Sequence, residues 1–164
     1  MTNTQKIKLI ESYDRVIENI SNDISNHFQT FGVKKIDLIN YLIEKHPIFK
    51  QTNLATIYLK IKNSSPWKYE EILIVCDYLG FQEKKEIIIN FYKLLQEDVT
   101  NDIDKSPFQF KFLSSFFQEH FALNHASVYY EPLRWRFHLN ALIELYRLID
   151  HMNKFKPTIF KVNE

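Results

Sequence analysis

At 164 residues and a formal net charge of +1, the chain is long enough for one domain with a sizeable core, or for a small module followed by a second helical unit. Its two glycines argue against the Gly-rich phosphate loops of nucleotide enzymes, which need backbone at positive φ and close approach to phosphate. The single Cys76 excludes a disulfide scaffold. With no charged-then-apolar leader in "MTNTQKIKLIESYDR" and no apolar run of roughly 18 residues, a cytoplasmic protein without membrane association is expected.

The first element in chain order is an amphipathic helix over residues 5 to 29, because Ile10, Tyr13, Ile17, Ile20, Ile24 and Phe28 step by three and four before Gly32. Next, "KKIDLINYLIEK" places Ile36, Ile39, Leu42 and Ile43 on one side. It ends at His46-Pro47, where the residue before proline is pushed out of the α region. Thr52 is the predicted N-cap of a third helix, "NLATIYLKIKN", with Leu54, Ile57, Tyr58 and Ile61 inward. Asn53, Thr56, Lys60 and Asn63 then form a polar stripe on the opposite side. Ser65 and Pro66 suit the N-cap and first turn of a fourth helix, whose inner face is Ile72, Val75, Cys76 and Leu79 and which stops at Gly80. Cys76 reads as a small core residue, since no histidine at a recognisable spacing accompanies it.

Charge is concentrated in this region. Residues 34 to 68 hold seven lysines against Asp37 and Glu44, a net +5, whereas residues 1 to 33 carry −1 and residues 69 to 164 carry −3. Such an island is what a local polyanion site looks like, and equally what a lysine-rich solvated surface looks like.

Within the island, "ATIYLKIKNSSPWKYEEILIVCDYLGF" resembles the second half of a lambda-repressor-like (Xre/Cro-type) helix-turn-helix domain. Ala55, Thr56, Ile57 and Ile61 with Asn63 match the recognition-helix pattern and loop entry, and Pro66 and Glu70 match the loop exit. Ile72, Val75, Leu79, Gly80 and Phe81 match the final helix. The likeness covers about residues 15 to 81 and departs in two places. "EKHPIFKQ" is longer than the tight turn such domains use, and Leu59 stands where an exposed, often basic residue is usual. The resemblance implies sequence-specific transcriptional regulation on double-stranded DNA.

The residue chemistry agrees with that implication. A major groove about 12 Å wide admits one helix, which must offer amide, hydroxyl or cationic groups to base edges. Asn53, Thr56 and Lys60 are the expected base readers. Lys34, Lys35, Lys62, Asn63, Ser64, Ser65, Lys68 and Tyr69 are the expected phosphate contacts. The plain alternative is the wet face of a surface helix. An alternative function is an α-helical protein-interaction module, such as a phage or mobile-element accessory protein, whose basic patch meets an acidic protein partner.

Beyond Gly80, "EKKEIIINFYKLLQED" predicts another helix, "VTNDIDKSP" a polar connector and "FQFKFLSSFFQEHFAL" an aromatic helix. A long helix follows, with Pro132 suited to its first turn. Trp135, Leu142, Leu145, Ile149 and Met152 lie on a seam near 3.5-residue spacing, the expected interface of a homodimer. Ten of the 25 aromatic residues lie between Phe108 and Phe137, which points either to a dimer interface, to a small-molecule or peptide ligand in this half, or to a thick aromatic core.

No catalytic residue, metal site or cofactor is expected. His120 and His125 do not share a helix face and have no glutamate between them, and Asp102 and Asp104 lack the glycine and distal glutamate of a calcium loop. The expectation is therefore an all-α, non-enzymatic protein with a DNA-binding unit over 1–81 and a dimerisation or sensing unit over 82–164.

Overall fold

The computed structural model describes residues 1–32, 34–50 and 52–159, with side chains described as far as 155. The fold is all-α: the described residues form eight helices and no strand. These are α1 (Asn3–Thr30), α2 (Lys35–Lys45), α3 (Leu54–Ile61), α4 (Tyr69–Leu79), α5 (Gln82–Asp104), α6 (Phe110–Phe121), α7 (His125–Tyr130) and α8 (Arg136–Ile159), with a short 3₁₀ turn at Pro47–Phe49. Among the described residues no helix is long and apolar enough to cross a membrane. The chain divides into two compact units, one of Tyr13–Tyr92 and one of Met1–Ser12 with Lys93–Glu164, so the division falls inside α1 and inside α5. The expected functional halves, 1–81 and 82–164, cut the chain at a different place.

In the Tyr13–Tyr92 unit the periodic positions of α1 are buried as their spacing requires: Tyr13, Ile20, Ile24 and Phe28. From α2 come Leu38, Ile39 and Leu42, and from α4 come Ile72, Val75 and Cys76, all fully buried. Burial pushes the Cys76 thiol up to about 11, so it is a packed, unreactive group. Two helix ends close in the same way. At the end of α4, Gly80 takes φ 73°, the Phe81 N–H donates to the Cys76 carbonyl (2.8 Å) and the Gly80 N–H to that of Asp77 (3.2 Å). At the end of α3, Asn63 takes φ 57° and the Ser64 N–H donates to the Leu59 carbonyl (2.8 Å). Asparagine tolerates this left-handed conformation better than most residues do.

Several boundaries differ from the sequence reading. Asn53, not Thr52, caps α3: its Oδ1 accepts the Ala55 N–H at 2.9 Å. Helix α4 begins at Tyr69 rather than behind Ser65-Pro66, because Glu71 in its first turn accepts the Lys68 N–H at 2.8 Å and fixes the start there. Helix α5 runs through "VTNDID" to Asp104, carried by the apolar step Leu95, Val99, Ile103, each buried. Pro132 precedes α8, which starts at Arg136.

In the other unit, Lys6 and Asp102 form an ion pair. The Tyr146 hydroxyl donates to the same carboxylate at 2.8 Å, and the Lys6 ammonium lies 5.9 Å from the Tyr146 ring centroid. One carboxylate thereby ties the first turns of α1 to α5 and α8. His138 is buried on α8, with its Nδ1–H donating to the Glu131 carbonyl (3.0 Å) and Nε2 accepting a long contact from the Ser127 hydroxyl (3.5 Å).

Candidate nucleic-acid interface

Helix α3 is eight residues long, and its buried positions are Ile57, Lys60 and Ile61, at i, i+3 and i+4. This face is turned toward Lys60 relative to the one expected. Leu54 and Tyr58, expected inside, are 49% and 36% exposed, and Leu59 is 48% exposed. The outer strip of α3 is therefore Leu54, Ala55, Tyr58 and Leu59, with Asn53 at one end and Lys62, Asn63 and Ser64 at the other.

Lys60 is the correction this forces: expected to read bases, it is 3% exposed and cannot face a groove. Its ammonium is ion-paired with Glu71 of α4 and lies 5.8 Å from the centroid of the buried Trp67 ring. The cause is electrostatic. A carboxylate that α4 places under α3 needs a cation, and its other contact is the Lys68 N–H. Glu71 was missed because it lies beyond the loop, outside any local helical spacing; Trp67, buried between the two helices in sequence, was missed with it.

The other expected readers are partly committed. Asn53 is exposed but spends its carbonyl oxygen on the cap, leaving its NH₂ group to face outward. Thr56 is half-buried. Among the expected phosphate contacts, Lys34, Lys62 and Ser64 are exposed, and Lys35, Ser65 and Lys68 are half-buried. The exposed Asn63 donates its side-chain amide to Asn22 of α1 at 2.6 Å. Tyr69 is stacked on Tyr92 with centroids 3.8 Å apart, and burial together with that neighbour holds its hydroxyl above its ordinary value. The structure thus brings Lys62, Asn63 and Ser64 together on one exposed turn and takes Tyr69 away into a ring stack.

The charge surplus survives the loss of Lys60. Across residues 34 to 68 six lysines remain at exposed or half-buried positions, Lys34, Lys35, Lys45, Lys50, Lys62 and Lys68, against Asp37 and Glu44, a surplus of four. Such a surface can hold phosphates.

The expected self-pairing seam is a second correction. Leu142, Leu145 and Ile149 are 0%, 2% and 9% exposed within the single chain, so they belong to its own core and are not open to a second copy. Trp135 is half-buried ahead of α8, stacked with Phe137 at 5.6 Å, and Met152 is 41% exposed. Intramolecular and intermolecular packing demand the same apolar spacing, which is why the pattern did not distinguish them. Among the described residues no cluster of three or more His, Cys, Asp or Glu could hold a metal ion. Set against known proteins, the chain matches no family model, no curated protein and no solved structure.

Proposed function

We propose that the Tyr13–Tyr92 unit binds duplex DNA mainly through its phosphates, as a non-enzymatic regulator of the helix-turn-helix kind. What carries the reading is the lysine surplus that stays accessible around a pinned α3, together with the Lys62-Asn63-Ser64 turn at that helix's exposed end. With Lys60 withdrawn and the outer strip largely apolar, base discrimination rests on the Asn53 amide, the Tyr58 hydroxyl and apolar contact with thymine methyl groups. Affinity then exceeds specificity. One unit on one site suffices for such binding, and α8, whose Leu142, Leu145 and Ile149 are buried in the chain's own core, takes no part in it.

The exposed Leu54, Tyr58 and Leu59 favour a second reading, a protein partner with an acidic rim around an apolar strip. One experiment separates the two. Fluorescence anisotropy with a random-sequence duplex across a salt series should show binding whose log–log slope is roughly −3.6 for about four phosphate contacts. Lys62→Glu should make that slope shallower by about one, while Leu54→Ser with Leu59→Ser should leave binding to this duplex nearly unchanged. Absence of binding at low salt sinks the DNA reading and leaves the protein-partner one.

A further inference from the structure

The unit of Met1–Ser12 and Lys93–Glu164 contains an open cavity of about 430 Å³ assembled from three separate segments. The end of α5 contributes Ile103 and Asp104, the connector and first turns of α6 contribute Phe108, Phe110 and Leu113, and α7 contributes His125, Tyr129 and Tyr130. Ile103 and Leu113 are buried, whereas Phe110 and Tyr130 are 68% and 72% exposed, large rings held in water.

His125 is the polar group of the lining that is out of place. It is only 9% exposed, and neither ring nitrogen has a hydrogen-bond partner. Aromatic rings surround it: Phe110 meets it edge-on at 4.6 Å, Phe117 lies at 5.9 Å and Tyr129 at 6.2 Å. Burial pushes its basicity below the ordinary value, so at neutral pH it is an uncharged imidazole with one N–H and one lone pair to satisfy. The Asp104 carboxylate is exposed at the same cavity, and its charge beside the Tyr129 hydroxyl holds that hydroxyl above its ordinary value.

We propose that this cavity binds a small organic cation, an ammonium group carried on an apolar or aromatic arm. The faces of Phe108, Phe110, Tyr129 and Tyr130 attract positive charge through their ring quadrupoles and cover the arm. Asp104 supplies the counter-charge and disfavours carboxylates and phosphates. The free lone pair of His125 accepts a hydrogen bond from the ammonium, which satisfies a buried group the fold leaves unsatisfied. The volume lies within the range of small-molecule sites. This site is in the unit that carries none of the expected DNA contacts, so its test stands apart from that of DNA binding.

Isothermal titration of the full chain with 2-phenylethylamine, its neutral isostere 2-phenylethanol and the anion phenylacetate tests it. The amine should bind saturably, the alcohol about ten-fold more weakly and the anion not at all, one charge-assisted contact being worth about that factor. Asp104→Asn and Phe110→Ala, both at exposed positions, should each weaken the amine several-fold with the circular dichroism spectrum unchanged. A lysine side chain presents the same chemistry: Nα-acetyl-lysine methylamide binding as tightly as the amine would assign the site to a peptide lysine, and weaker binding to a free amine. Equal affinity for amine and alcohol, no saturable amine binding, or an Asp104→Asn protein that binds as well as the wild type would overturn the proposal.

Discussion

Replacing Lys60 by methionine tests the orientation of α3 most directly. The substitution keeps the length and apolar bulk of the side chain but removes the cation from a pair whose side chains are 4% and 1% exposed. Breaking a buried pair in this way costs about 3–5 kcal/mol, chiefly from the charge left behind. Here Glu71 retains the Lys68 N–H at 2.8 Å, which favours the lower end, about 3 kcal/mol. With an m-value of ~2 kcal/mol/M for a chain this size, the urea midpoint should fall by ~1.5 M. Trp67 is buried 5.8 Å from the ammonium, so its fluorescence in a Trp135→Phe background reports unfolding of the Tyr13–Tyr92 unit. Adding Glu71→Gln to Lys60→Met removes the stranded charge while keeping an acceptor for the Lys68 N–H. The double variant should therefore recover to within ~1 kcal/mol of the wild type, giving a coupling of about 2 kcal/mol or more. A Lys60→Met protein within ~0.5 kcal/mol of the wild type would mean that Lys60 is at the surface. That result, joined to a selective loss of duplex binding, would refute the orientation argued above and restore Lys60 as a base reader.

Ala122, at the end of α6, holds φ 51° while the Leu123 N–H donates to the Phe117 carbonyl, so Ala122→Gly should raise thermal stability slightly, by a net of up to ~1 kcal/mol after the entropy glycine adds to the unfolded chain; calorimetry checks this. Leu142→Glu with Ile149→Glu buries two charges in the core and should abolish cooperative unfolding followed by circular dichroism; a folded monomer with native helicity would return these residues to an interface. His138 is held below its ordinary 6.5, first by burial, so the unfolded chain binds this proton more readily than the folded one. Its contribution is present above pH 6.5 and is lost as pH falls through the lower folded value. Urea midpoints should thus drop between pH 7 and pH 5, with a smaller drop in His138→Gln.

Where elements lie was legible because long helices repeat their apolar positions often enough to define one face. In α1 the spacing from Ile10 to Phe28 spans several turns, and Ile10, Tyr13, Ile20, Ile24 and Phe28 are all buried. The short α3 has apolar residues at 54, 55, 57, 58, 59 and 61, around more than half its circumference, so its pattern allows more than one buried side. The choice among them is made by Glu71, a tertiary partner that no local spacing identifies. The cavity beside His125 was illegible for the same reason: Asp104, Phe110 and His125 come from three segments, and a histidine reads differently when rings rather than ligands surround it.

The orientation of α3 also decides what kind of DNA binding is reasonable. A helix with Asn53, Thr56 and Lys60 outward could have discriminated base pairs at about 1–3 kcal/mol per good contact. A helix showing Leu54, Ala55, Tyr58 and Leu59, with Asn53 at its end, offers the groove one hydroxyl, one amide and apolar surface, so little of that discrimination is left. Phosphate contacts, by contrast, depend only on cations reaching the backbone, and burying Lys60 against Glu71 leaves six other lysines in place. With α8 closed into its own core, doubling the contacts through a paired copy at that seam is removed as well. Under the proposed DNA binding, most site preference must then come from the shape and deformability of the DNA beneath those lysines, and a Leu54→Ser, Leu59→Ser protein should lose only the small share owed to thymine methyl contacts while the rest persists.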